Sequence, residues 1–161
     1  MTPFDLVGAF GYSLILLGVK TRSGVKTKCL IASAYVLNAI YFAGIGMPTS
    51  SAVNVATAIR TLLSIWTMSK IVGVIIILCI IASYSVFRSE PVAAISVVIG
   101  TIGFYWFSGV VTRSFMASTS FLRMVNAGIY GLTLPMIAEL INSILLLLSI
   151  PRLKKRLSNT L

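Results

Sequence analysis

The sequence predicts an all-α membrane protein of seven transmembrane helices, arranged as two parallel three-helix bundles joined by a linker helix (3+1+3). Three observations predict it. Hydrophobic residues make up 58% of the 161 residues and charged residues only 10%, against the roughly 25% charged residues of a soluble domain. The basic residues gather on alternate connections between apolar runs. A series of short motifs also recurs in the same order about 90 residues further on, the mark of a duplicated unit.

Helices are the expected spanning structure. The apolar runs lack the strand-length polar/apolar alternation of a membrane barrel, and a helix satisfies its own backbone in lipid. Seven spans follow, each near the ~20 residues a bilayer requires: residues 5–20, 27–46, 50–68, 70–87, 91–109, 114–131 and 133–150. Asp5 rather than a basic stretch precedes the first run, so no signal peptide is expected. Only Met68, Ser69 and Lys70 separate the third and fourth spans, which makes six spans the competing count. From Ile71 to Ile81 the fourth is nearly pure Val, Ile, Leu and Gly, with Cys79 the exception, as suits a lipid-facing linker. Pro151 is expected to end the seventh helix. The domains expected are therefore 1–69, the first bundle; 70–90, the linker helix; 91–150, the second bundle; and 151–161, a basic cytoplasmic tail.

Orientation follows from charge. Lys20, Arg22, Lys26 and Lys28 flank the first connection, Lys70 the third, Arg113 the fifth, and Arg152, Lys154, Lys155 and Arg156 the tail. The opposite connections carry almost no cations, apart from Arg88 next to Glu90. The positive-inside rule then places the N-terminus outside and the C-terminus in the cytoplasm, which requires an odd number of spans. Topology and attraction to anionic lipid account for the net charge of +10, so no nucleic-acid partner is expected.

The repeat is legible in particular residues. Gly8 and Gly11 return as Gly100 and Gly103, Thr21-Arg22-Ser23 as Thr112-Arg113-Ser114, Asn38 as Asn126, Pro48 as Pro135, and Val53-Asn54 as Ile141-Asn142. The offset between the two copies spans four helices, an even number, so both enter the membrane in the same direction. Such a 3+1+3 arrangement of parallel repeats resembles the SWEET and PQ-loop transporters. Two stretches, Ser51 to Leu62 with its Ala-Ile-Arg-Thr and Pro91 to Ile102 with its Pro-Val and Ile-Gly-Thr-Ile, resemble the signatures of the YgjV family of bacterial inner-membrane proteins. That resemblance implies a multi-pass inner-membrane location and a SWEET-like fold. The chain departs from the wider superfamily in having no Pro-Gln dipeptide and no proline central to spans 1 and 5. Its glycines there serve either helix packing or bending.

The chemistry available is narrow. With no histidine, two cysteines (Cys29 and Cys79) and three acidic residues (Asp5, Glu90 and Glu139), metal cages and nucleophile triads lack parts. Neither an enzyme nor a cofactor is expected, and the two cysteines lie in different spans with no disulfide implied. Arg60, Arg123 and Glu139 fall at membrane depth, where a charge costs about 2.5–3.5 kcal/mol to insert. Two readings stay open for them: a structural ion pair with a snorkelling arginine, or a site whose surplus cation receives an anionic or polyhydroxylated solute. Amides suit hydroxyl-bearing solutes without the desolvation cost of a charge, so Asn54 with Asn142, and secondarily Asn38 with Asn126, complete the candidate site. The resemblance to SWEET-like carriers implies that Asn54 and Asn142 line its centre; the other reading of these amides is interhelical glue. Trp66, Tyr105 and Trp106 either stack on a sugar or form an interfacial belt.

Two functions follow. The first is a transporter of a small polar solute, sugar-like or anionic, passive or coupled to protons through Glu139. The second is a membrane scaffold whose basic face binds lipid headgroups or a partner protein. Membrane lipid is a partner in either case, and homo-oligomerisation stays open.

Overall fold

The computed structural model describes residues 3–20 and 24–158 of the chain. Those residues form seven α-helices and no strand: α1 (Pro3–Lys20), α2 (Gly24–Gly44), α3 (Pro48–Leu63), α4 (Lys70–Phe87), α5 (Pro91–Trp106), α6 (Gly109–Ile129) and α7 (Thr133–Ser158). Pro3, Pro48 and Pro91 open α1, α3 and α5, positions where the missing N–H has no helical partner to lose. The third and fourth apolar runs separate clearly. Ser64 caps the C-terminus of α3, and Ser69 caps the N-terminus of α4 by accepting the Ile71 N–H at 3.3 Å.

The end of the last helix departs from expectation. α7 continues through Pro151 to Ser158. A proline inside a helix removes one backbone hydrogen bond and kinks or breaks it; here the helix resumes beyond it. Arg22 lies outside the described residues, as do the side chains of Lys20, Arg152, Lys154, Lys155 and Arg156.

Two helical stretches, Lys70–Phe87 and Thr133–Pro151, are long and apolar enough to cross a membrane by length and composition. The apolar stretches Pro3–Gly18 and Pro91–Trp106 are shorter. α2 and α6 have 21 residues each but include Lys26 and Lys28, or Arg113 and Arg123, and α3 has 16 residues with a polar face.

Helix contacts close a cycle, α1–α2–α3–α5–α6–α7 and back to α1, while α4 packs only against α3 and α5. α4 turns Gly73, Ile76 and Ile80 inward and leaves Ile71, Ile75, Leu78 and Ile81 exposed. Such a helix, apolar all round with half its surface unpacked, is suited to lipid. The repeated glycines are packing residues. A β-carbon on Gly8 would lie 2.9 Å from the Tyr41 ring, and one on Gly100 would lie 2.9 Å from Thr119 Oγ1. Gly11 likewise abuts Asn38, and Gly103 abuts Phe115. Small residues thus bring α1 onto α2 and α5 onto α6.

The α2–α3 and α6–α7 turns are built alike. In the first, the Tyr41 and Phe42 carbonyls accept from the N–H groups of Ile45 and Met47; in the second, Asn126 and Ala127 accept from Tyr130 and Leu132. Gly46 (φ 78°) and Gly131 (φ 68°) occupy the left-handed position, where a β-carbon is strained. Matching these turns aligns Asn54 with Glu139 and Asn38 with Arg123. The pairings by sequence identity, Asn54 with Asn142 and Asn38 with Asn126, are therefore displaced by about one helical turn. Identity followed the amides, whereas the backbone follows the glycine turn.

Candidate functional site: a polar cavity at the centre of the helix ring

Polar residues recur every three or four positions on one face of α3: Ser50, Asn54, Thr57, Arg60 or Thr61, and Ser64, all of them buried. Helical periodicity puts them in a single column. α6 adds Ser120, Arg123 and Asn126 at the same spacing, and α7 adds Glu139 and Asn142. From these columns Ser50, Asn54, Arg123, Asn126 and Glu139 line a cavity of about 20 Å³, room for roughly one water molecule. Every helix of the ring contributes to its wall: Tyr12 from α1, Phe42 from α2, Asn54 from α3, Ser96 from α5, Arg123 and Asn126 from α6, and Glu139 from α7. Three pairs of residues matched by the two turns are both in the lining: Phe42 and Ala127, Ser50 and Pro135, and Asn54 and Glu139.

Arg123 organises the centre. Its Nη1 lies 3.6 Å from Glu139 Oε1, its Nη2 donates to Thr57 Oγ1 at 3.4 Å, and its guanidinium sits 5.0 Å above the Tyr35 ring. Glu139 is 4% exposed, so the pair is held away from water, and breaking it would isolate a buried charge. Asn54 Nδ2 donates to the Ser50 carbonyl at 2.7 Å. Asn126 faces the cavity with its Oδ1 unpartnered.

The fold thus brings together Asn54, Arg123, Asn126 and Glu139 from the sequence-derived candidates, and leaves three elsewhere. Asn142 is not in the lining; its Nδ2 donates to Ser120 Oγ at 2.8 Å, tying α7 to α6. Asn38 is buried against Gly11. Arg60 is also outside the lining, bonded to Thr101. Of the aromatics, Trp66 is 76% exposed and Tyr105 is buried, while Trp106 packs on Gly73. Cys29 and Cys79 are both free thiols.

Two residues of consequence carry little signal in the sequence. Tyr12 sits beside Gly11 in an apolar run, and nothing local distinguishes it from a packing aromatic. Glu90 reads as a loop charge beside Arg88. It is instead 2% exposed and accepts from the Ser50 backbone N–H at 2.9 Å and from the Ser50 hydroxyl, placing a carboxylate at the N-terminus of α3. Arg88 (φ 49°) and Glu90 (φ 54°) both adopt left-handed backbone, a conformation costing on the order of 1–3 kcal/mol per non-glycine residue. The hydrogen bonds of Glu90 offset that strain and link α3 to α5. Glu90→Ala is accordingly expected to lower stability by about 1–3 kcal/mol and to accelerate amide exchange at Ser50, with exchange in α6 little changed. Uniform acceleration along the chain would contradict a local cap.

An all-helical bundle with an apolar exterior and a buried ionic centre is consistent with a helical membrane protein. The sequence profile of the YgjV family, bacterial inner membrane proteins, matches residues 4–157. The chain belongs to this family, and its place is the bacterial inner membrane. No curated protein and no solved structure matches it.

Proposed function

We propose that this protein is a SWEET-like transporter of a small polar solute and not an enzyme. In this reading seven spans form two parallel three-helix bundles, α1–α3 and α5–α7, joined by α4, with the N-terminus outside and the C-terminus in the cytoplasm. The observation that carries it is the central cavity lined from all six helices of the ring. Repeat-built carriers place their site at such a repeat interface. The like construction of the two turns and the presence of turn-matched residues in one lining support a twofold relation between the bundles.

A cavity with room for one water is a closed state, so a solute enters only when the halves part along the α3–α5 and α1–α7 contacts. Glu139 couples the cycle to protons in this scheme, since its protonation releases Arg123. Purified protein in liposomes is expected to take up at least one neutral or anionic solute from a broad panel, and Asn54→Ala is expected to reduce that uptake at least tenfold. Loss of one well-placed hydrogen bond to solute, worth about 1.5 kcal/mol, corresponds to that factor. No uptake of any solute would end the transporter reading and favour the scaffold. Uptake by Glu139→Gln with an unchanged pH profile would remove Glu139 as the coupling residue.

A further inference from the structure

Arg60 is 4% exposed, so its guanidinium is enclosed by protein and does not snorkel to a lipid interface. Nη1 donates to Thr101 Oγ1 at 3.1 Å, and the group lies 5.2 Å above the Phe104 ring. Nε is buried with no hydrogen-bond partner. Glu139 is already engaged by Arg123, and among the described residues no carboxylate lies within 4 Å of Arg60. The charges at this depth therefore sum to one surplus cation, in surroundings where an uncompensated charge is strongly disfavoured.

We propose that Arg60 is the centre of an anion site, six residues along α3 from Asn54 in the cavity wall, that takes a small monovalent carboxylate. The unsatisfied Nε lies on the edge of the guanidinium that binds carboxylates with two parallel hydrogen bonds. A single negative charge neutralises the surplus; a dianion would reverse it. Thr101 engages Nη1 and Phe104 covers a face of the guanidinium, so Nε is the donor without a protein partner. Lys28 supplies a second cation one turn further on, where its Nζ donates to the Ser64 carbonyl at 2.7 Å. It gives the approach from that end of α3 a positive potential. Arg60 lies outside the cavity lining, so the site does not depend on whether the cavity carries a solute.

The test is thermal unfolding of the full chain, purified in detergent and held in a chloride-free buffer, with acetate, lactate, their amides and chloride as probes. Acetate and lactate are expected to raise the unfolding midpoint saturably, by on the order of 5 °C at saturation, while acetamide and lactamide leave it unchanged. Arg60→Gln is expected to abolish the carboxylate shift, and Arg60→Lys to weaken it at least tenfold in apparent affinity, because a point charge lacks the fork. Equal shifts with acid and amide, an equal shift with chloride, or no carboxylate shift in the unmutated protein would each overturn the proposal. So would a full shift in Arg60→Gln. If Arg60→Gln does not fold, the comparison of acid, amide and chloride on the unmutated protein still decides. Carboxylate binding without solute uptake in liposomes would sink the transporter reading alone; uptake of neutral solutes without carboxylate binding would sink the anion site alone.

Discussion

Arg123→Met is expected to destabilise the folded protein by about 3–5 kcal/mol, because it leaves the Glu139 carboxylate buried without its cation. The substitution also removes a guanidinium from the face of Tyr35 and a hydrogen bond to Thr57. Adding Glu139→Leu is expected to recover most of the loss, since replacing both members of a buried pair with apolar groups of similar volume is often neutral or better. Reversible unfolding of the two single variants and the double variant gives the coupling energy directly. Additive losses would mean that the 3.6 Å contact contributes little. The double variant also separates the two readings left open for these charges. A stable double variant that still transports makes the pair a structural tie, whereas a stable but inactive one places it in the transport mechanism.

Gly103→Ala is expected to cost about 1–3 kcal/mol by overpacking. A β-carbon there runs into Cβ and the ring of Phe115 on α6. The obstacle includes the root of a side chain, which cannot swing aside, so α5 and α6 must separate. Gly128→Ala serves as the comparison. Its added methyl would meet nothing closer than Met136 Sδ at 3.7 Å, and alanine favours the helix by up to about 1 kcal/mol, so that variant is expected to be neutral or stabilised. Equal effects of the two substitutions would show that helix propensity, not the approach of α5 to α6, governs the glycine positions.

Much of the helix layout is visible in the sequence because local rules decide it. Pro48 and Pro91 open helices, Ser69 caps one, and the length of each apolar run sets a helix of near-spanning size. Local rules mislead at Pro151, where the breaker lies inside α7. They also mislead in the register of the repeat. The strongest identities, the asparagines, are not the positions that the two glycine turns superpose.

The site was legible in composition more than in geometry. A few charges and amides in an apolar chain are conspicuous, and Asn54, Arg123, Asn126 and Glu139 do meet at one cavity. Which arginine pairs with Glu139 could not be read from depth, since Arg60 and Arg123 have similar positions along their helices. The answer depends on azimuth: α6 turns Arg123 toward α7, and α3 turns Arg60 toward α5. Glu90 was hidden for a related reason, because its partner Ser50 is 40 residues away and only the packing of α3 against α5 brings them together.

By itself, then, the sequence determined the helical class, the apolar exterior and the short stock of polar groups, all consequences of composition and local backbone preference. The tertiary structure alone decided the closed ring, the meeting of six helices at one small cavity, the choice of Arg123 over Arg60 as the partner of Glu139, and the turn-based register that matches Asn54 to Glu139. These depend on helix rotation and on contacts between residues far apart in the chain, which no short window of sequence encodes.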